Sequence, residues 1–201
     1  MEGYSQGLKF KRCALGGGYA VAEIGDCTDT DIRIPPVTPE GAPVIRIGSC
    51  AFMGRDHITS VTIPEGVEVI DTFAFMRCRF LTTVTLPESL NRMFHSAFSE
   101  CVSLTSVRLP KNLESVGRQC FYGCISLTDV VIEKGVECFG DEVFKNCTAL
   151  EKLVIPSTLY MMGCCVFEGC TRLSIRCRLY QRPYEWEENW NPTDCPVRWR
   201  R

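Results

Sequence analysis

The chain has 201 residues, 45% hydrophobic and 23% charged, which is enough apolar side chain for one ordinary globular domain. Its formal net charge is −2, and Lys and Arg are scattered along the sequence, a pattern that points away from nucleic acid and from anionic membranes as partners. No apolar run approaches the ~18 residues that would span a bilayer, and the opening "MEGYSQGLKFKR" carries no apolar leader.

Residues 1–31 read as a cap. "LKFKRCAL", then "GGG" (Gly16 to Gly18), then "YAVAEI" predict a hairpin that covers the open end of whatever follows. From residue 47 to 178 the sequence repeats every 23 positions, and a period of that kind is read before any local structure. Phe52, Phe75, Phe98, Phe121, Phe144 and Phe167 form one column. Ile58, Leu81, Leu104, Leu127, Leu150 and Leu173 form a second. Val61, Val84, Val107, Val130 and Leu153 form a third, and Ile63, Leu86, Leu109, Ile132 and Ile155 a fourth. Pro64, Pro87, Pro110 and Pro156 close the units, with Glu133 the exception.

Each unit decodes in the same way. In Leu104 to Leu109, Val107 and Leu109 face one side and Ser106 and Arg108 the other, which predicts a short strand. Pro110 cannot donate to a ladder and ends it. A second apolar pair follows, Leu113 and Val116, then Gly117, then a small residue beside Phe121. One such coil cannot bury its own Phe, Leu and Val, but stacked coils can. The prediction is an α/β-type, mostly β repeat solenoid with one short parallel strand per coil, and turns or helical turns on the other side.

Of the 14 cysteines, Cys78, Cys101, Cys124, Cys147 and Cys170 share one column, three residues before the strand leucine, where Arg55 is the earlier misfit. At that bend a small side chain with a weak S–H donor can point inward and serve backbone groups. Stacked coils bring these thiols to the ~4.8 Å strand spacing, but parallel side chains make the ~90° disulfide dihedral hard to reach. A structural ladder of free thiols is the favoured reading, with bridged or reactive cysteine the alternative. Residues 179–201 lose the period and read as an aromatic C-terminal cap, making the whole of 1–201 a single domain.

No constellation singles out catalysis. His57 and His95 occupy variable columns, "CFYGC" has the wrong spacing for zinc, and Cys120 and Cys124 each fit a structural column. Cys164 and Cys165 are modest redox candidates. No enzyme activity, metal or cofactor is expected. The tail aromatics Tyr184, Trp186, Trp190 and Trp199 either plug the last coil or stack on sugars, with the plug favoured.

The unit C-x-x-L-x-x-V-x-L-P, followed by a Gly-x-x-small-Phe turn, resembles the BspA-like leucine-rich repeats over about Ile32 to Cys177. Under that resemblance "CTDTDIRIPP" (Cys27 to Pro36) looks like an irregular first unit followed by the insertion "VTPEGAPV", the irregular unit with its insertion being assigned to residues 32–46. "WEENWNPTDCPVRW" looks like a segment that closes such arrays. The resemblance implies a curved leucine-rich-repeat fold. It also implies a surface or secreted adhesin-type protein that recognises a host matrix or cell-surface protein.

The recognition surface would be the outward strand residues: Ser60 and Thr62, Thr83 and Thr85, Ser106 and Arg108, Asp129 and Val131, Lys152 and Val154. At the ~4.8 Å strand spacing they make a strip roughly 30 Å long, suited to a protein partner. Two alternatives stay open. The missing leader and abundant cysteine suit a cytoplasmic scaffold or interaction protein, and the tail aromatics suit a carbohydrate-binding module.

Overall fold

A computed structural model describes residues 3–14 and 17–201. The chain opens on the expected hairpin: β1 (Lys9–Arg12) pairs antiparallel with β2 (Tyr19–Glu23). Leu15 and Gly16, which fall between the two strands in sequence and within the predicted hairpin, lie outside the described residues. β3 (Asp31–Arg33) and β4 (Val44–Ile47) follow, flanking the predicted insertion. Then five coils each place a front strand and a shorter back strand. These are β5 (Ser60–Thr62) with β6 (Val69–Ile70), β7 (Thr83–Thr85) with β8 (Arg92–Met93), and β9 (Ser106–Leu109) with β10 (Ser115–Val116). They continue as β11 (Asp129–Ile132) with β12 (Cys138–Phe139), and β13 (Lys152–Ile155) with β14 (Met161–Met162). β15 (Ser174–Cys177) and β16 (Val197–Arg198) complete the series.

The molecule is the predicted solenoid, with two strands per coil rather than one. The front strands form a five-stranded sheet in the order β11-β9-β7-β5-β3 and a three-stranded sheet in the order β13-β15-β16. The back strands join β1, β2 and β4 in an eight-stranded sheet. Every pairing among these strands is parallel except that of β1 with β2. The back strand grows from the second apolar pair: Pro110 ends β9, Leu113 turns inward, and Val116 is the one buried residue of β10. No helix forms among the described residues, so none is long and apolar enough to cross a membrane.

The corner between back and front strands explains how 23 residues close. Two positions per coil adopt positive φ: Cys50, Phe73, Ser96, Gln119, Glu142 and Cys165 in one column, and Arg77, Glu100 and Asn146 with Gly54, Gly123 and Gly169 in the other. Left-handed backbone costs a non-glycine residue roughly 1–2 kcal/mol, and it persists where neighbours fix it. Here the next coil does so. The N–H groups of Phe73, Phe75 and Arg77 donate to the carbonyls of His95, Ala97 and Ser99 at 3.0, 2.8 and 2.8 Å, and the same trio recurs along the corner.

The phenylalanine column is the spine of the core. The six rings stack nearly parallel, with centroids 4.9 Å apart for Phe52–Phe75 and 6.0 Å for Phe144–Phe167, and all six are fully buried. Trp190 stands 23 residues after Phe167 and meets it edge-on at 5.9 Å. The tail is therefore not a loss of the period but a last, degenerate coil. Cys165 donates to Asn189, Glu187 donates to Met162, and β16 pairs in parallel with β15. Trp186, 2% exposed, packs on Trp190 and donates its indole N–H to the Leu159 carbonyl.

Truncating a stacked ring leaves a cavity that neighbouring coils cannot close, so Phe98→Ala and Phe121→Ala are each expected to cost ~3–5 kcal/mol in urea unfolding. A loss below ~1 kcal/mol at both would place the rings outside the core.

Candidate recognition face

The alternation that buries Val107 and Leu109 turns Ser106 and Arg108 outward, and the same holds along the array. Thr62, Thr83, Thr85, Arg108, Asp129, Val131, Lys152 and Val154 are exposed, while Ser60 and Ser106 are half-buried. Register aligns Ser60, Thr83, Ser106 and Asp129 across four strands, and places Arg108 beside Val131. Lys152 and Val154 belong to the other ladder, where they face Ser174 and Arg176. The ten predicted residues thus share one side of the molecule but are split between two sheets.

The split coincides with the end of a hydrogen-bonded ladder. Just before each strand of the five-stranded sheet stands a threonine. The amides of Thr82, Thr105 and Thr128 donate to the preceding coil's threonine carbonyl, and their hydroxyls donate to the same oxygen at 2.9, 3.2 and 3.2 Å. This threonine ladder escaped the sequence reading, although Thr59, Thr82, Thr105 and Thr128 sit 23 apart. The next position is Glu151, whose carboxylate is taken by Arg172. No hydrogen bond joins Glu151 to Thr128 among the described residues. At that break lies an open recess of about 790 Å³, lined in part by Asp129, Val131, Lys152 and Val154.

Charges redistribute in three dimensions. Arg108 is held by Glu88 at 2.7 Å and Glu133 at 3.2 Å, so it is a paired rather than a free cation of the face. Toward the C-terminal end the basic residues that looked scattered in sequence converge. Lys134, Arg176, Arg178, Arg198, Arg200 and Arg201 line a second recess of about 840 Å³ with no acidic side chain among its lining.

The cysteine column points inward. Cys78, Cys101, Cys124, Cys147 and Cys170 are buried, and each thiol donates to the phenylalanine carbonyl of the coil before, at 3.0 to 3.3 Å. All fourteen cysteines are unbridged. Burial pushes the thiols of Cys78 and Cys170 up to about 12, and those of Cys101, Cys124 and Cys147 also well up. Cys164 and Cys165 are half-buried, with Cys164 raised to about 11 by burial and the nearby Asp141, so neither is a ready thiolate. His95 hydrogen-bonds the Arg118 carbonyl at 3.0 Å and meets Phe73 edge-on, whereas His57 is exposed. No cluster of three metal-ligating side chains forms among the described residues. Of the tail aromatics, Trp186 and Trp190 are buried plugs that offer no face to a sugar, Trp199 packs on Trp186, and Tyr184 is 97% exposed.

Parallel strands, one inward leucine per coil and an open outward face define a leucine-rich-repeat solenoid. More narrowly, the BspA-type leucine-rich-repeat region matches residues 45–174 in six copies, and the chain belongs to that family. A search of curated proteins finds no match. Among solved structures, a leucine-rich-repeat protein of T. pallidum is 23% identical, covering 86% of this chain and 91% of its own, with a TM-score of 0.66. The pneumococcal vaccine antigen PcpA is 21% identical with a TM-score of 0.72, covering 87% of this chain. A leucine-rich cell surface protein from Faecalibacterium prausnitzii is 25% identical with a TM-score of 0.61, covering 86% of this chain. The chain spans about half of those two proteins, 49% and 53% respectively. The family's repeats make protein-interaction modules.

Above pH 9, where an unfolded thiol ionises, the folded protein holds more protons than the unfolded one because Cys78 and Cys170 titrate near 12. Their contribution is therefore intact below pH 9 and lost as pH rises toward 12, by up to about 1.4 kcal/mol per pH unit per thiol. Urea unfolding at pH 7.5 and 10.5 should show this loss, and it should be shallower in Cys78→Ala/Cys170→Ala. Equal losses in the two proteins would mean that these thiols are not protected by folding.

Proposed function

We propose that this chain is a non-catalytic protein-binding module of the adhesin type, at the cell surface or secreted, whose outward strand face recognises a host matrix or cell-surface protein. The observation that carries the reading is the recess between β11 and β13. Val131 and Val154, 41% and 40% exposed, stand at its sides, with Lys111, Asp129, Lys134 and Lys152 around them. An exposed apolar pair inside a charged rim is the arrangement that protein interfaces use, with desolvation at the centre and specificity at the edge. The hydroxyl-rich strands β5 and β7 extend that surface with groups that a partner's polar rim can satisfy.

Two similarities support the setting: one relative of like fold is a vaccine antigen and another a cell surface protein.

The test is a binding screen of the intact chain against immobilised extracellular-matrix and host-surface proteins, followed by substitution. Val131→Ser/Val154→Ser should leave the melting temperature nearly unchanged, because solvent-facing positions contribute little, and should weaken binding to the captured partner at least tenfold. Adding Asp129→Ser and Lys152→Ser should mainly slow association, as rim charges do. Unaltered affinity in the valine variant would move the site off this face.

A further inference from the structure

We infer that the C-terminal end of the strand face carries a second site, a guanidinium array that binds a sulfated polysaccharide. Two R-x-R pairs build it, Arg176 and Arg178 from β15 onward and Arg198 and Arg200 from β16 onward. Buried Cys177 and half-buried Trp199 alternate with them, so within each pair the two arginines face the same side, about 6.6 Å apart along the strand. Arg176 and Arg198 are register partners on neighbouring parallel strands, separated by the ~4.8 Å strand spacing. The Arg200 amide donates to the Leu179 carbonyl at 2.8 Å and so keeps the second pair alongside the first. The result is a near-rectangular patch of four guanidinium-bearing side chains, with Lys134 beside it.

This array is not neutralised from within. Arg176, Arg178, Arg198 and Lys134 form no ion pair among the described residues, whereas Arg46, Arg77, Arg108, Arg118 and Arg172 each have a carboxylate partner. Like charges placed directly opposite across strands destabilise a sheet. In a chain of net charge −2, a recess lined by Arg176, Arg178, Arg198, Arg200 and Arg201, none of them in an ion pair among the described residues, is suited to receive anions from outside. Guanidinium forks match tetrahedral oxyanions two oxygens at a time.

Three features select the class of polyanion. A folded protein would need an apolar anchor at the centre, and the recess offers only Trp199, half-buried against Trp186. A single-stranded nucleic acid would need open aromatic faces for its bases; the only aromatic in the recess lining is Trp199, half-buried against Trp186, and the Tyr180 ring outside that lining carries Arg200 on one face at 5.0 Å. An acidic peptide adding to the edge of β16 would run past Glu188 and Asp194, which line the recess beyond that strand. A sulfated polysaccharide needs none of these, only a dense, open set of cations.

Heparin serves as the probe. The intact chain should be retained on immobilised heparin and elute above physiological salt, with affinity falling linearly in log–log against NaCl. Arg176→Ser/Arg178→Ser/Arg198→Ser should elute earlier and lower that slope by ~2.7, since each of the three ionic contacts contributes just under one. Its melting temperature checks that the fold persists, and Arg178→Ser alone gives the same direction with less disturbance. A matched Lys9→Ser/Lys11→Ser/Arg12→Ser variant at the opposite end should elute as the unmodified chain does. Heparin should also outcompete polyglutamate and oligo(dT) of equal charge. No retention at low salt, retention that survives the arginine substitutions, or equal competition by polyglutamate or oligo(dT) would each overturn the assignment.

Discussion

Each coil of this molecule depends on its neighbours to bury one phenylalanine ring. A 23-residue loop of chain has no interior of its own, so a ring such as Phe98 is sheltered only because Phe75 and Phe121 lie against its two faces, at 5.0 and 5.6 Å. Burying a side chain of that size is worth about 1.5–3 kcal/mol, repeated at every step of the array. Stacking of that kind demands that every coil bring its chain back to the same place. The left-handed corner residues are how the backbone meets the demand, and the amides they orient toward the next coil are what offset the strain. Where stacking must stop, tryptophan replaces phenylalanine: Trp190 turns edge-on to Phe167, and Trp186 packs over it.

Because the inward columns do the folding, the outward columns are free to vary, and whatever they carry is laid out at strand spacing. Threonine ahead of each strand of the five-stranded sheet becomes a hydrogen-bonded ladder, which ends before β13, where Glu151 stands in its column. The recess flanked by Val131 and Val154 lies at that interruption. Arginine on two adjacent strands becomes a charge array. Recognition chemistry here is a by-product of translation along the solenoid, so a change of one outward residue re-forms the surface without touching the core.

The inward columns were fully legible in the sequence, because phenylalanine, leucine, proline and cysteine recurring at one fixed interval fit few architectures besides stacked coils. The back ladder was not. Each of its strands has two residues with one of them buried, as in Ser115–Val116, too short to show alternation. The left-handed corner was hidden for a different reason: three of six second-column positions hold Arg77, Glu100 and Asn146 rather than glycine, since the neighbouring coil rather than residue preference fixes that backbone. The tail's period was masked by the exchange of Phe for Trp. Of the candidate face, sequence alternation placed all ten outward residues on one side, but it could not reveal that Arg108 is claimed by Glu88 and Glu133, because those carboxylates lie 20 and 25 residues away in the chain. Nor could it show that the arginines of "IRCR" and "VRWR" lie side by side.

Coils of this molecule should be interchangeable by translation through 23 residues. Excising residues 96–118 joins His95 to Gln119 and leaves every column in register, with one coil fewer. The excised protein should keep the β-rich circular dichroism spectrum and a single cooperative thermal transition, shifted modestly downward. Removing 22 residues from the same place, which displaces every inward column by one, should abolish that transition. If the 23-residue excision unfolded the protein as thoroughly as the 22-residue one, the coils would not be equivalent units, and stacking of one ring per coil would not be what holds the fold.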